Sequence, residues 1–245
     1  MFSNTFLPNY DPGQKVACDV CNLTRLCLNP DVPPDEISQL SRVVRRNRTL
    51  QRGQYIYHAG DRFTGIFALK SGSAKLVYTD RLGCDTVISV LLPGELQGFD
   101  GMASGQYLCS LVTLETSSYC ELPAHELSLV TQDAPNLQRL FQQKTCEMLN
   151  GFIERIASAQ RPAEERLAKF LLDLAQRHME RGFSAEQYHL SLTRQEIGNH
   201  LGLALETVSR LLGKLECANM IRVQGKHIQL LDMPGLGRLS GKIPS

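Results

Sequence analysis

Apolar positions along this chain follow two different periods, and the period changes twice. Residues 1–33 show neither period and read as an irregular arm. Pro33-Pro34-Asp35 then opens a helix in which Ile37, Leu40, Val43 and Val44 recur at helical spacing, with Arg45-Arg46 expected to close it. From about residue 50 to 125 the pattern shortens to β-type runs. These are Tyr55-Ile56-Tyr57, Gly65 to Leu69, Ala74 to Tyr78 and Val87 to Leu91. Gly53, Gly60-Asp61, Ser71-Gly72, Leu82-Gly83 and Pro93-Gly94 punctuate them, which predicts a sandwich or barrel of antiparallel strands.

The helical period returns after Pro135 and runs to about residue 158. Leu137, Phe141, Met148, Phe152 and Ile156 form an apolar stripe with Leu149 and Ile153 beside it, while Lys144, Glu147, Glu154 and Arg155 lie largely off it. A stripe this long needs a partner, either its own β domain or the same helix of a second subunit. Met148, Phe152 and Ile156 are the residues expected to make such a homodimer. Residues 160–245 read as a second, mostly helical domain. Its first helix starts at Pro162 and carries Leu167, Phe170, Leu171 and Leu174. From Met233 onward the tail is rich in Gly and Pro and is expected to be loosely ordered.

Within this second domain, Thr193 to Leu212 has the pattern of a helix-turn-helix. Thr193 caps a short helix from Arg194, Gly198 permits a close approach, and Gly202 makes the turn. Ile197, Leu201, Leu203, Val208 and Leu211 supply the small core between the helices. On the second helix Glu206, Ser209 and Arg210 stand at i, i+3 and i+4, away from Val208, Leu211, Leu212 and Leu215. In a major groove, Arg210 suits guanine O6 and N7, Glu206 suits cytosine N4, and Ser209 suits either kind of edge or a thymine. Ala204 stands where a capping Ser, Thr or Asp is preferred, a loss of typically ~1 kcal/mol. Met220 to Val223 and His227 to Leu230 read as a hairpin whose tip carries Lys226, so the motif is a winged helix with a phosphate-reaching wing. Thr193 and Arg194, at the start of the first helix, join Glu206, Ser209, Arg210 and Lys226 as the expected DNA contacts.

Composition narrows the function classes. The net charge of +1 in 245 residues excludes a bulk polycation, so double-stranded DNA must be met by a local face. There is no apolar run long enough for a bilayer, and Met1–Tyr10 lacks a signal-peptide core. A cytoplasmic location is therefore expected, with no membrane partner. Eight cysteines in such a chain point to metal, redox chemistry or burial rather than a disulfide framework. Neither a phosphate-binding glycine loop nor a His-Glu-x-x-His motif is present, which argues against an enzyme.

Cys18, Cys21 and Cys27 have ligand-like spacing, Cys-x2-Cys-x5-Cys. Spacing alone leaves three readings open: a structural zinc site, an iron–sulfur cluster with a distant fourth cysteine, or a metal-free thiol switch. Cys84, Cys109, Cys120, Cys146 and Cys217 are the other thiols available as a fourth ligand. Leu26 and Leu28 flank Cys27 and are placed to shield whatever the thiols hold.

Taken together, the β-rich unit, the long helix and the winged helix-turn-helix resemble the cyclic-AMP receptor protein family of bacterial transcription regulators over essentially the whole chain. Within it, the cysteine arm, the Leu114 to Pro123 segment (Leu-Glu-Thr-Ser-Ser-Tyr-Cys-Glu-Leu-Pro) and Glu206-Thr207-Val208-Ser209-Arg210 resemble the oxygen-responsive regulators of fumarate and nitrate reduction. The resemblance implies an α+β fold: an arm (1–33), a jelly-roll-like β-roll sensor domain with a leading helix (34–134), a dimerisation helix (135–159) and a winged helix-turn-helix domain (160–245). It also implies an oxygen-labile [4Fe-4S] cluster on Cys18, Cys21, Cys27 and Cys120, and a palindrome of TTGAT-type half-sites controlling anaerobic genes as an activator. RNA polymerase is the further partner implied, touched by exposed loops such as Thr79-Asp80-Arg81. Family members that bind cyclic AMP follow Gly-Glu-Leu with an Arg-Ser pair. Here Gly94-Glu95-Leu96 is followed by Gln106-Tyr107-Leu108-Cys109-Ser110, without the arginine that a buried phosphate needs. Glu95 is therefore expected to be a structural turn residue. The alternatives are a family regulator with another effector, haem with nitric oxide or a cyclic nucleotide, or a structural zinc site on the cysteines.

Overall fold

The computed structural model of the chain describes residues 18–46 and 49–241. Met1–Tyr10 and the rest of the arm before Cys18 lie outside them, so the expectations for that stretch are not addressed by the fold. After the arm's short helix α1 (Thr24–Cys27) comes α2 (Pro34–Val43). Eight strands follow: β1 (Arg45–Arg46), β2 (Tyr55–Tyr57), β3 (Gly65–Ser71), β4 (Ala74–Thr79), β5 (Asp85–Leu91), β6 (Leu96–Gln97), β7 (Ser110–Thr113) and β8 (Ser118–Pro123). They form two antiparallel sheets, ordered β1-β8-β3-β6 and β2-β7-β4-β5. The inner faces of the sheets enclose a core around Tyr57, Phe67, Leu76, Leu91 and Leu111. This is the β-roll expected from the resemblance.

Arg45-Arg46 do more than end α2. They pair with β8, placing Arg46 opposite Cys120 and Arg45 opposite Glu121. The outer face of that sheet is covered by α2, α3 (Ala124–Gln132) and the first half of α4 (Pro135–Ser158), with Leu40, Ile66, Leu122, Val130, Leu137, Leu140 and Phe141 in one core. Ala134 offers no side-chain cap to α4. The buried carboxylate of Glu36, on α2, takes that role. It accepts from the Leu137 N–H at 2.8 Å, the Asn136 N–H at 3.3 Å and Asn136 Nδ2 at 2.6 Å. A carboxylate at a helix N-terminus is favoured by the orphan N–H groups and the helix dipole. The leading helix thereby fixes where the long helix begins.

The second half of α4 leaves this core. Met148 turns inward, with Gln97 Nε2 3.8 Å from its Sδ, and Phe152 is half-buried in a cleft beside the β-roll. Arg155, expected off the stripe, faces its own β-roll and donates to the Ile88 carbonyl. Leu149, Ile153 and Ile156 are left pointing outward, 56%, 55% and 74% exposed. Their spacing of i, i+4 and i+7 is a coiled-coil seam. The outward face is therefore Leu149, Ile153 and Ile156, with Met148 and Phe152 turned from it.

The remaining elements are α5 (Ala163–Glu180), β9 (Gln187–His189), α6 (Arg194–Leu201), α7 (Leu205–Cys217), β10 (Ile221–Gln224), β11 (His227–Leu230) and α8 (Met233–Leu239). The wing is a three-stranded sheet, β10-β11-β9, rather than a hairpin alone. The tail from Met233, expected to be loose, forms α8 with Leu236 fully buried in the domain core. Asp232 starts it by accepting from the Gly235 N–H at 2.8 Å, which outweighs the Gly and Pro content.

This domain rests on the β-roll through its first helices. Val90, Leu92 and Leu114 of the β-roll belong to the same buried cluster as Leu167, Leu171, Ile197 and Val208. Asn199 Oδ1 accepts from the Val87 N–H at 2.5 Å, and Lys75 pairs with Glu196 at 2.7 Å. His200 sits 3.0 Å from the Val87 carbonyl, and burial, then the Arg155 charge, push its imidazole down to about 4. It is therefore neutral near pH 7, and its Nδ1 carries the donated proton.

Candidate functional site

The cysteine arm is fixed to α2 and to itself by short local bonds. The Cys18 N–H donates to Ser41 Oγ at 2.8 Å. The Thr24 hydroxyl reaches back to the Cys21 carbonyl at 2.8 Å and to that of Cys18. These bonds curl the arm so that Cys18, Cys21 and Cys27 face one cavity of about 70 Å³. The fourth thiol on that cavity is Cys120, brought there by the pairing of β8 with β3, where it lies opposite Ala68. The other walls are mostly apolar, including Leu28, Leu40, Ile66, Leu122 and Phe141.

Burial pushes the Cys27 thiol up to about 12, with Cys21, Cys120 and Cys18 adding to the rise and Arg181 opposing it. Four sulfurs this close in an apolar pocket do not ionise together unless a cation compensates them. Among the described residues no three His, Cys, Asp or Glu side chains are arranged to hold a single ion. Among the described residues, which include all eight cysteines, none forms a disulfide.

The competing thiols are elsewhere. Cys84 is exposed in the β4–β5 turn, and Cys146 and Cys217 are exposed on α4 and α7. Cys109 is buried, but in the core between the sheets beside Tyr57, Phe67 and Tyr107. Leu28 lines the cavity and is 4% exposed, as expected of a shield. Leu26 does not line it and packs instead on Gly94.

The helix-turn-helix has the expected local geometry. Thr193 and Glu196 form a reciprocal capping box, with Glu196 N–H to Thr193 Oγ1 at 3.2 Å and Thr193 N–H to Glu196 Oε2 at 2.7 Å. A Cβ on Gly198 would lie 2.5 Å from the Leu203 carbonyl oxygen, so only glycine fits the turn's close approach. Gly202 ends α6 at φ 64°. Ala204 gives α7 no side-chain cap.

Glu206 and Arg210 are exposed on α7, as are Thr193 and Arg194 at the start of α6. Ser209 is half-buried and accepts from Arg194 Nη1 at 3.4 Å. Lys226 sits at the wing turn, but its Nζ is directed back to the Ser191 carbonyl at 3.4 Å. Arg210→Ala is expected to weaken binding to a cognate duplex by ~1–3 kcal/mol and to relax specificity at one guanine. Fluorescence-anisotropy titrations on wild-type and guanine-substituted duplexes check this. Equal affinity of variant and wild type would remove Arg210 from base readout.

Glu95, expected only to shape a turn, does that and more. Its Oε2 accepts from the Leu92 N–H at 3.1 Å, and the same carboxylate pairs with Arg177 and Arg181 of the winged-helix domain. It borders a cleft of about 1270 Å³ between the β-roll and that domain. With its oxygens occupied by protein donors, Glu95 is not free to hold a nucleotide ribose.

A β-roll, a long helix with an exposed seam and a docked winged helix are the parts of a DNA-binding transcription regulator. The comparisons agree. Residues 47–133 match the cyclic nucleotide-binding domain and residues 165–239 the Crp-like helix-turn-helix domain. The chain is 36% identical to the anaerobic regulatory protein of Pasteurella multocida (strain Pm70), over 94% of this chain and 84% of that one. It is 34% identical to the fumarate and nitrate reduction regulatory protein of Escherichia coli (strain K12), over 94% and 92%. In fold it is similar to FixK2 from Bradyrhizobium japonicum, with a TM-score of 0.74 at 22% identity, covering 80% of this chain and 97% of that one. The chain belongs to the family of the fumarate and nitrate reduction regulatory proteins, within the Crp-type regulators.

Proposed function

We propose that this chain is an oxygen-responsive regulator of anaerobic genes that holds a [4Fe-4S] cluster on Cys18, Cys21, Cys27 and Cys120. The observation that carries this reading is the cavity on which these four thiols meet. Four cysteine thiolates are the usual ligand set of such a cluster, and a distant fourth ligand is tolerated. When bound, the cluster supplies an oxygen-labile link between the arm and β8. The chain's own residues do the rest. Leu28 and the apolar walls restrict solvent at the thiols. The Thr24 and Ser41 bonds hold the curled arm against α2, and Glu36 on α2 fixes the start of α4. Arm order is thereby coupled to the long helix. Pairing of two α4 seams then sets two recognition helices about 34–36 Å apart, one DNA turn. Arg210, Glu206 and Ser209 read each half of a TTGAT-type palindrome, because one half-site gives too little affinity over non-specific DNA. The exposed Thr79-Asp80-Arg81 loop is a surface for RNA polymerase, in the cytoplasm where both partners lie.

Purification without oxygen tests the reading. The expected product is brown, with about four iron and about four acid-labile sulfide per chain. A colourless protein, or one carrying zinc, overturns it.

A further inference from the structure

We propose that the Pro93-Gly94-Glu95 turn is a latch that couples seating of the cysteine arm to docking of the winged-helix domain within a single chain. This goes beyond the route through dimerisation, and it rests on protein contacts alone, whatever the thiols bind.

Gly94 of the turn carries the arm. Leu26, next to Cys27 on α1, lies so close to Gly94 that an added Cβ would stand 2.5 Å from Leu26 Cβ and 3.3 Å from its Cδ1. Gly94 holds φ +90°, a left-handed conformation that glycine adopts without strain. The turn is tied to β3 in both directions. Gly94 N–H donates to the Leu69 carbonyl at 2.7 Å, and Leu69 N–H to the Glu95 carbonyl at 3.1 Å.

Glu95 of the turn carries the winged-helix domain. Glu95 Oε1 accepts from Arg177 Nε at 3.0 Å and Arg181 Nη2 at 2.7 Å, and Oε2 from Arg177 Nη2 at 2.6 Å. Arg181 also holds the turn's backbone at the Pro93 carbonyl, at 2.7 Å, and Arg177 reaches the Val90 carbonyl of β5 at 2.5 Å. Arg181 is only 5% exposed at its side chain. Two planar forks on one carboxylate demand a fixed position for that carboxylate. Burying the second arginine without its partner is costly, so the clamp closes or opens as a unit.

Arm and domain therefore grip one short turn at adjacent residues, Gly94 and Glu95. Unseating the arm removes Leu26 from Gly94, loosens the turn and weakens the clamp. By linkage, opening the clamp must loosen the arm to the same degree. The latch sets how the Glu206–Arg210 face is oriented relative to α4, and with it the fit of two recognition helices to two half-sites.

Hydrogen exchange read by mass spectrometry on the intact, anaerobically purified chain tests this. The Val87 amide, bonded to Asn199, reports docking, and the Leu28 amide, bonded to the Thr24 carbonyl at 2.7 Å, reports the arm. Amides of the β4–β7 pair, such as Leu111, report the β-roll fold. Leu26→Ala, a change in the arm, is expected to speed exchange at Val87 about tenfold, and Glu95→Gln to speed it similarly at Leu28. The double variant should open neither site much further than the larger single change. If each variant affects only its own side, the latch is wrong. Should Glu95→Gln also open the β4–β7 amides, Arg177→Gln decides, because it leaves the β-roll sequence intact. Unchanged exchange at Leu28 in Arg177→Gln overturns the proposal, and faster exchange there supports it.

Discussion

Replacing Cys120 with serine is expected to strip iron and labile sulfide from the anaerobically purified protein, whereas Cys84→Ser and Cys109→Ser keep them. Cys120 is the thiol outside the arm that lines the cysteine cavity. Serine nearly preserves the side-chain volume, so the β8–β3 pairing around Ala68 has no packing reason to fail. What changes is the ligand, from a soft thiolate to a hard, protonated hydroxyl that binds iron–sulfur clusters poorly. The two controls separate ligation from general loss of thiols. Cys84 is exposed in a turn, and its N–H is held by Asp80 Oδ1 at 2.9 Å whatever its side chain. Cys109 is the stricter control, because it is buried and burial pushes its thiol up to about 12, yet it sits in the other core. Iron, sulfide and the visible spectrum are read for all three variants. Retention of about four iron per chain in Cys120→Ser would remove Cys120 from the ligand set.

What could be read from the residues depended on how far apart the interacting groups lie in sequence. The helix-turn-helix was legible because its determinants are local: Thr193 and Glu196 form a box three residues apart, and Gly198 and Gly202 shape one turn. The extent of α4 followed from Pro135 and an unbroken apolar period. The arm's cysteines announced themselves by spacing, but Cys120 did not. It reaches the cavity only through pairing of β8 with β1 and β3, which no periodicity reveals, and only the family resemblance selected it. Glu36 and Glu95 act on partners from 82 to 101 residues away, so neither the cap on α4 nor the arginine clamp has a local signature. For α8 a signal existed: Asp232 followed three residues later by the N–H it caps. The Gly and Pro content of the tail concealed it. On α4 the period gave the extent of the helix, and the exposure of each stripe residue depends on what the β-roll packs against. Met148 packs against the β-roll core and Phe152 is half-buried in the cleft, while Leu149, Ile153 and Ile156 of the outward seam are exposed.

That seam carries the second large expected effect, for Ile153→Glu should convert the dimer to monomer and abolish specific binding to a palindrome. Ile153 is 55% exposed, between Leu149 and Ile156, in the middle of the heptad-spaced face. Nothing in its own chain needs the side chain buried, so glutamate there is compatible with the monomer fold. Across a two-fold axis the residue meets the matching seam of its partner, and one substitution brings two carboxylates into the same apolar contact. Uncompensated buried charge costs ~3–5 kcal/mol or more, which weakens association by at least two orders of magnitude. Glu154, one residue on, is engaged within its own chain. It pairs with Lys169 at 2.9 Å and so points toward α5. Sedimentation velocity and anisotropy on a two-half-site duplex give the paired readout, with Glu154→Ala as the control that keeps the dimer. A dimeric Ile153→Glu would place the subunit interface elsewhere. A monomer that still binds the palindrome as tightly as wild type would mean that the two half-sites are filled independently.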